Sequence, residues 1–235
     1  MEDVSSLLLI PAYLNSSLLN LLYVEYFKHT NVSFCPLIYT RYLSECIAKS
    51  LLNIYKYLPM FKPENTHIIG GSMGSLVASY VGSYFEGSIF RITALDPPEY
   101  LAAIYQPPVA YNLSPIVAKI VDVYHTNMGQ LGTWKAVGTV DVIFNKGDEQ
   151  PQCYSSSKCA HRIAIYYFML TIMNRKAFWA QPCTYRLYDY LTNEIDQVCS
   201  PLVDRDRQLV GEYMDSKTNG TFLVNTWPEF ALGKT

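Results

Sequence analysis

The chain has 235 residues, half of them hydrophobic, which is enough for one domain with a sizeable core. Its 18 basic and 20 acidic residues give a net charge of −2. They form no long basic run, so we expect no nucleic-acid partner. No apolar run approaches the roughly 18 residues of a membrane-spanning helix, so we expect no transmembrane segment.

Short apolar segments alternate with segments of helical periodicity along the chain. In chain order, the pattern predicts strand Leu7–Ile10, helix Leu18–Phe27, a short strand Val32–Phe34, helix Tyr42–Tyr57, strand His67–Ile69, helix Met73–Phe85, strands Arg91–Leu95, Ala118–Tyr124 and Val140–Phe144, and helix His161–Met173. Residues 96–115 are punctuated by prolines and are predicted to form a long loop. This alternation favours βαβ units, so we predict an α/β fold with a mostly parallel sheet flanked by helices.

Six cysteines and four N-x-S/T sequons favour a secretory environment. The cysteines are Cys35, Cys46, Cys153, Cys159, Cys183 and Cys199, and the sequons begin at Asn15, Asn31, Asn112 and Asn219. The alternative is a cytosolic protein with buried free thiols. The first residues, MEDVSSLLLI, are acidic at the front and have too short an apolar run for a signal peptide. Export is therefore explained only if the chain is a mature or abbreviated product.

Residues Gly70–Gly74 read Gly-Gly-Ser-Met-Gly, which has the G-x-S-x-G form. They lie between a predicted strand, HII, and a predicted helix, MGSLVASYVGSYF, and a nucleophile elbow requires that context. In such an elbow the central residue, Ser72, is held at the end of the strand as a nucleophile. The alternative is an ordinary glycine turn, because motif matches also arise by chance.

A nucleophilic serine needs a general base and an acid that orients the base. Downstream of Ser72 the histidines are His125, at the end of a predicted strand, and His161, where a loop meets a helix. The base must reach back over the strand ends, which favours His161; the alternative is a helix N-terminal residue without a catalytic partner. Asp96 directly follows a predicted strand, at the edge where ligands gather in such sheets. An Asx-turn in ALDPP would use the same residue.

Four blocks of the sequence, taken together and in chain order, carry a family likeness. They are HIIGGSMGS, RITALDPPEY, VDVYHTNMGQLGTWKAVGTVDVIFNKGDEQPQC and CAHRIAIYYF. Together they resemble the pancreatic lipase family, including its phospholipase A1 members, and the likeness runs in register from about Leu7 to Leu232. The resemblance implies an α/β-hydrolase fold and a serine hydrolase that cleaves carboxylic esters of lipids.

The resemblance also implies site residues. Ser72 is the nucleophile, Asp96 the triad acid and His161 the general base. The oxyanion hole would take backbone N–H groups from Met73 and from Tyr13, which follows the predicted first strand. Such donors stabilise the oxyanion of the tetrahedral intermediate. The implied mechanism proceeds through an acyl-enzyme and needs no cofactor.

Cysteine pairs are implied in the same way. Cys153–Cys159 matches the disulfide that closes the family's lid, and Cys183–Cys199 matches a downstream disulfide. We pair Cys35–Cys46 by default. The lid has only five residues between its cysteines, YSSSK, whereas triacylglycerol lipases have a long amphipathic lid. A short polar lid resembles the phospholipase A1 members and predicts an open active site.

The chain departs from the family pattern at several positions. Pro11-Ala12 stands where the family has His-Gly before the oxyanion residue, and proline removes a neighbouring N–H donor. Gly71 replaces the usual histidine before the nucleophile. In the loop that carries calcium in pancreatic lipases, the acidic positions fall at Ser114 and Val117. We therefore expect no bound metal.

We expect one α/β-hydrolase domain over residues 1–235, without the family's usual N-terminal strands or C-terminal β-sandwich domain. The expected partners are lipid esters, either phospholipids or acylglycerols, with peripheral contact to lipid surfaces and an extracellular location. A catalytically impaired lipase-fold protein that binds lipid or another protein is the alternative. A carboxylesterase acting on small esters is a third reading.

Overall fold

The computed structural model describes residues 4–16, 19–25, 35–99, 113–185, 197–199 and 207–226. In these ranges the helices are α1 (Val4–Ser16), α2 (Cys35–Tyr57), α3 (Met73–Tyr84) and α4 (Ser157–Met173). The strands are β1 (His67–Gly71), β2 (Arg91–Leu95), β3 (Ile120–His125), β4 (Val140–Phe144), β5 (Phe178–Tyr185), β6 (Gln197–Cys199), β7 (Gln208–Val210) and β8 (Gly220–Val224).

One sheet joins the described strands in the order β1-β2-β3-β4-β8-β5-β6, with β7 paired to β5. The pairs from β1 through β4 to β8 are parallel, and β5 runs antiparallel to its neighbours. Parallel strands buried on both faces are typical of α/β proteins. The predicted α/β-hydrolase fold, with a mostly parallel sheet flanked by helices, is therefore confirmed.

Helices cover both faces of the sheet. On one face, Ala48 of α2 and Val81 of α3 pack with alternate strand residues such as Val121 and Val123. On the other face, α1 and α4 pack with Tyr124 and the remaining strand residues in a second cluster. In each strand, successive side chains point to opposite faces, so one strand serves both cores.

The elements that surround the G-x-S-x-G corner agree with the sequence prediction. Strands β1 to β4 and helices α3 and α4 occur where the pattern predicted them, with bounds shifted by up to four residues. Helix α2 ends as predicted but begins seven residues earlier, at Cys35. Such shifts are usual because element ends depend on local hydrogen bonds that periodicity does not specify. These elements are the ones that position the candidate site.

The N-terminal predictions are wrong. Leu7–Ile10, predicted as a strand, belongs to helix α1, and within the predicted helix Leu18–Phe27 the described residues 19–25 are not helical. Leu9, Ala12 and Tyr13 are buried in the part of α1 whose burial the structure describes, residues 7–16, and their spacing of three and four positions is helical. The predicted strand Val32–Phe34 and residues 100–112 of the predicted loop lie outside the described residues.

Where the structure describes the chain, no helix combines the length and apolar character needed to cross a membrane.

Candidate active site

Ser72 lies in a tight turn between β1 and α3. Its φ of 50° and ψ of −122° are uncommon for a residue other than glycine. Its N–H donates to the carbonyl of Leu95 in the neighbouring strand, 2.9 Å away. A Cβ atom at Gly70 would lie 2.2 Å from the carbonyl oxygen of Gly74, so strand and helix approach too closely for a side chain there. This is the strained strand–turn–helix geometry of a nucleophile elbow.

Asp96 follows β2 and is fully buried, with a φ of 47°. Its Oδ1 accepts hydrogen bonds from the backbone N–H groups of Thr126 (2.8 Å) and Asn127 (3.0 Å). Gly132 lies against the same carboxylate, where a Cβ atom would be 2.5 Å from Oδ2. The carboxylate is thus bound by the turn after β3, rather than by an Asx-turn of its own.

His161 lies near the start of α4 and joins the two other residues. Its Nε2 is 2.8 Å from the Ser72 Oγ, and its Nδ1 is 2.5 Å from the Asp96 Oδ2. A carboxylate can only accept, so in the neutral imidazole Nδ1 carries the proton and Nε2 accepts from the serine hydroxyl. The side chain is 14% exposed, which leaves the ring open to a ligand above Ser72.

His125, the other downstream histidine, does not join this group. It is buried, its Nε2 is 2.8 Å from Asp141 Oδ1, and its Nδ1 is 3.3 Å from the carbonyl oxygen of Thr133. Asp141 also accepts from the backbone N–H groups of Val137 and Gly138, both at 3.0 Å. These contacts shape the turn between β3 and β4.

A disulfide joins Cys153 and Cys159 just before His161 in sequence. Between the cysteines, Tyr154 is 94% exposed, and Ser155, Ser156 and Lys158 are also exposed. The loop is therefore short, polar and turned toward solvent. Tyr154 is its one aromatic side chain.

Two further cysteines have side chains that the structure describes, Cys183 and Cys46. Cys183 is disulfide-bonded and faces Cys199 in the register of the antiparallel pair β5–β6. Cys46 is a free, exposed thiol, so the default pairing of Cys35 with Cys46 is wrong. Both lie on α2, and eleven residues of helix separate their Cα atoms by about 16 Å, whereas a disulfide needs less than about 7 Å.

The two predicted oxyanion donors differ in their placement. Met73 is the first residue of α3, where backbone N–H groups have no partner within the helix and form the positive end of its dipole. Tyr13 lies inside α1, where a backbone N–H donates to the carbonyl four residues earlier. The helical position of Tyr13 contradicts its predicted role, because its N–H is already used.

The side chain of Tyr13 points to the opposite end of β1. Its hydroxyl donates to Glu212 Oε2 at 2.6 Å, and the same carboxylate oxygen lies 3.8 Å from Nδ1 of His67, the first residue of β1. Ser72 follows the last residue of that strand, about 16 Å away at 3.3 Å per residue. Burial raises the pKa of Glu212 and lowers that of His67 well below its usual value, so the 3.8 Å contact is not an ion pair.

A buried ion pair lies beside Glu212. Arg91 of β2 binds Asp122 of β3 through two hydrogen bonds of 2.8 and 2.6 Å, and its remaining donors reach the carbonyls of Gly211 and Glu212 at 2.9 Å. Burial opposes the charge on Arg91, but the Asp122 carboxylate outweighs it and raises the arginine pKa. This network joins β2, β3 and the turn after β7. It lies toward the N-terminal ends of the parallel strands, whereas Ser72 lies at their C-terminal ends.

Sequence reasoning missed the residues that hold Asp96. Thr126, Asn127 and Gly132 were not singled out, although they belong to the HTNMGQLG stretch that carried the family likeness. A polar pair directly after a buried strand was the available signal. Among the described residues, no group of three or more His, Cys, Asp or Glu side chains is arranged to hold a metal ion.

Comparisons with known proteins place the chain among lipases. Pancreatic lipase-related protein 2 of Cavia porcellus is 33% identical over 178 residues, which are 71% of this chain and 39% of that protein. Inactive pancreatic lipase-related protein 1 of Homo sapiens is 31% identical over 206 residues, 75% of this chain and 42% of that protein. Phospholipase A1 member A of Bos taurus is 34% identical over 146 residues, 58% of this chain and 31% of that protein.

This chain thus spans less than half the length of the curated relatives that it matches. A family model described as Lipase matches residues 12–218, which is most of the chain. Together with the α/β-hydrolase fold, this match shows that the chain belongs to the pancreatic lipase family.

Proposed function

We propose that this protein is a serine hydrolase that cleaves acyl esters of lipids with Ser72, His161 and Asp96 as its catalytic triad. The observation that carries the proposal is the pair of hydrogen bonds at His161, which accepts from the Ser72 hydroxyl at 2.8 Å and donates to Asp96 Oδ2 at 2.5 Å. Nucleophile, base and orienting acid in this arrangement are the requirements of acyl transfer.

The chemistry takes place in two steps. Ser72 Oγ attacks the ester carbonyl carbon while Nε2 of His161 takes the hydroxyl proton, and Asp96 stabilises the imidazolium that forms. The tetrahedral intermediate collapses, the C–O bond to the alcohol breaks, and His161 gives its proton to the leaving oxygen. Water then attacks the acyl-enzyme with His161 as base, which releases the fatty acid and restores Ser72.

The oxyanion is stabilised in part by the backbone N–H of Met73. Its position at the N-terminus of a twelve-residue helix supports this role, since the helix dipole and unpaired N–H groups favour negative charge there. Because the N–H of Tyr13 is used within α1, we assign no second donor.

We propose phospholipids, cleaved at the sn-1 acyl ester, as the preferred substrates. The exposed, polar and short loop closed by Cys153–Cys159 supports this preference, because it cannot shield an apolar cleft from water. One of the relatives is named a phospholipase A1. Acylglycerols remain the alternative lipid class, since other relatives are named pancreatic lipase-related proteins.

We further propose that the chain is one hydrolase domain of a secreted protein that touches lipid surfaces peripherally and uses no cofactor. The described strands all join one sheet, which supports a single domain. The disulfide between Cys153 and Cys159 supports an oxidising compartment, because such bonds persist there.

A second candidate function is binding of lipid or protein without turnover. The observation that favours it is the helical placement of Tyr13, which removes the predicted second oxyanion donor. One relative of this chain is itself named an inactive lipase-related protein. Loss of a single donor typically lowers the rate by about 10²–10³, so the triad alone does not guarantee turnover.

Fatty-acid release from phosphatidylcholine and from trioleoylglycerol, by purified protein and by a Ser72→Ala variant, tests these readings. We expect release from phosphatidylcholine at the sn-1 position and none from the variant. Release mainly from trioleoylglycerol would contradict the substrate preference and leave the triad standing. A folded protein that releases fatty acid from neither substrate would refute the proposal in favour of binding.

A further inference from the structure

The triad acid, Asp96, and the triad base, His161, lie on separate parts of the fold. Asp96 follows β2, and His161 lies near the start of α4, 65 residues later in the chain. A hydrogen bond of 2.5 Å between them requires that the turn holding the carboxylate and the helix holding the imidazole keep a fixed separation. Some contact must therefore join that turn to α4.

Asn127 makes such a contact. Its backbone N–H donates to Asp96 Oδ1 at 3.0 Å, and its side-chain Oδ1 accepts from the Ser157 hydroxyl at 2.7 Å. Ser157 is the first residue of α4 and lies four residues, or about one helical turn, before His161. One buried residue thus binds the acid directly and the helix of the base through one further hydrogen bond.

The other contacts of Asn127 fix its orientation. Its Oδ1 also accepts from the backbone N–H of Leu131 at 3.1 Å, and its Nδ2 donates to the carbonyl of Asp148 at 3.1 Å. A backbone N–H can only donate and a carbonyl can only accept, so these partners define which end of the amide faces Ser157. The carbonyl of Asn127 accepts from the N–H of Gly132, which packs against the carboxylate.

We propose that Asn127 is a positioning residue that sets the alignment of Asp96 with His161. The inference rests on the proposed function, since alignment matters only if His161 acts as the base. Asn127 does not touch the reacting atoms and acts through the two triad residues. Misalignment of a reacting pair lowers the rate of the chemical step far more than the affinity for substrate, and a shift of about 1 Å can cost about 10²-fold.

Asn145 provides a matched control for the substitution to alanine. Its Nδ2 donates to Gln150 Oε1 at 2.7 Å and Thr226 Oγ1 at 2.8 Å, and its Oδ1 accepts from the N–H of Thr226 at 2.7 Å. None of these partners belongs to the triad. The Asn145 side chain also hydrogen-bonds Tyr167, which lies in α4 six residues beyond His161. Asn145→Ala removes a comparable set of hydrogen bonds and also strains the backbone at a φ of 50°. It leaves the contacts among Asp96, Asn127 and Ser157 in place, so it reports the effect of lost stability without loss of those contacts.

The test compares kcat and KM of Asn127→Ala, Ser157→Ala, their double variant and Asn145→Ala on a soluble short-chain ester, per folded molecule. We expect Asn127→Ala to lower kcat about tenfold or more with KM within about twofold. The double variant should lose no more than Asn127→Ala alone, because both substitutions break the same bond. Asn145→Ala should unfold at a lower temperature and keep its kcat.

A measurement that needs no turnover accompanies the kinetics. The proton between His161 Nδ1 and Asp96 gives a far-downfield proton NMR signal, assigned by its loss in His161→Gln. The signal should shift or disappear in Asn127→Ala and persist in Asn145→Ala. The proposal would be overturned by an unchanged signal in Asn127→Ala, or by equal losses of kcat in Asn127→Ala and Asn145→Ala. Wild-type protein that hydrolyses no ester would refute the proposed function instead, and the NMR comparison would still decide the role of Asn127.

Discussion

The adjacent glycines before Ser72 should respond very differently to alanine. A Cβ at Gly70 would lie 2.2 Å from the carbonyl oxygen of Gly74 and 2.6 Å from the N–H nitrogen of Ser75, well inside the 3.4 Å where ordinary contact begins. The neighbours are backbone atoms of α3, so relief requires the helix to move. Overpacking of this kind costs about 3 kcal/mol or more, which lowers the melting temperature of a chain this long by roughly 6–12 °C.

Gly71→Ala is the matched control. There the nearest atom is the Ile165 Cδ1 at 3.5 Å, an ordinary contact, and the backbone is outside the left-handed region. We expect a change within about 0.5 kcal/mol. Calorimetry and ester hydrolysis on both variants provide the assay. Equal melting temperatures for the two variants would refute the close approach of β1 and α3, and with it the elbow geometry at Ser72.

Three further predictions concern Gly132 beside Asp96, the Cys153–Cys159 disulfide, and His67 at the start of β1. Gly132→Ala should lower kcat at least tenfold with little change in KM, because its Cβ would lie 2.5 Å from Asp96 Oδ2; steady-state kinetics with unchanged kcat would contradict this. Replacing Cys153 and Cys159 with serine should cost about 2 kcal/mol for their small loop, seen as a melting temperature lower by roughly 4–8 °C, whereas unchanged melting would count against it. Burial lowers the pKa of His67 well below 6.5, so the unfolded chain takes up the proton first. The contribution of neutral His67 to the free energy of unfolding is therefore fully present above pH 6.5. It falls as the pH drops below that value, by up to about 1.4 kcal/mol per pH unit. Urea unfolding at about pH 7 and pH 5.5 measures this. The free energy of unfolding should change less between the two pH values in His67→Gln than in wild type, and an equal change in both proteins would refute the prediction.

The central part of the fold was predictable because its elements are periodic and bounded by clear turn signals. Strand β1, the G-x-S-x-G corner and helix α3 follow one another without interruption, and Asp96 directly follows β2. The side chains of Ser72, Asp96 and His161 meet in the order that the sequence predicted, although their catalytic roles remain predictions. Periodicity could not identify Asn127, because its importance depends on a hydrogen bond to a residue thirty positions away.

The N-terminal prediction failed for a physical reason. Four consecutive apolar residues, LLLI, fit a buried strand and a helix equally well when only the run itself is considered. The burial of Leu9, Ala12 and Tyr13 shows that the longer segment has a helical face that packs on α4. Leucine and alanine are good helix formers, and this propensity agrees with the helix that the structure shows.

The helical N-terminus affects the oxyanion hole and the catalytic triad differently. The hydrogen bonds that align base and acid come from the turn after β3 and from α4, whereas α1 packs on α4 through apolar side chains. The second oxyanion donor was expected from the segment that forms α1, where Pro11 and Ala12 replace His-Gly. A chain with an aligned triad and one oxyanion donor should still form a covalent bond to Ser72, while turnover suffers the 10²–10³-fold loss typical of a missing donor. Stoichiometric labelling of Ser72 by a fluorophosphonate, compared with turnover of an ester, therefore reports the triad and the oxyanion hole separately. Labelling without turnover would indicate an intact triad and an incomplete oxyanion hole.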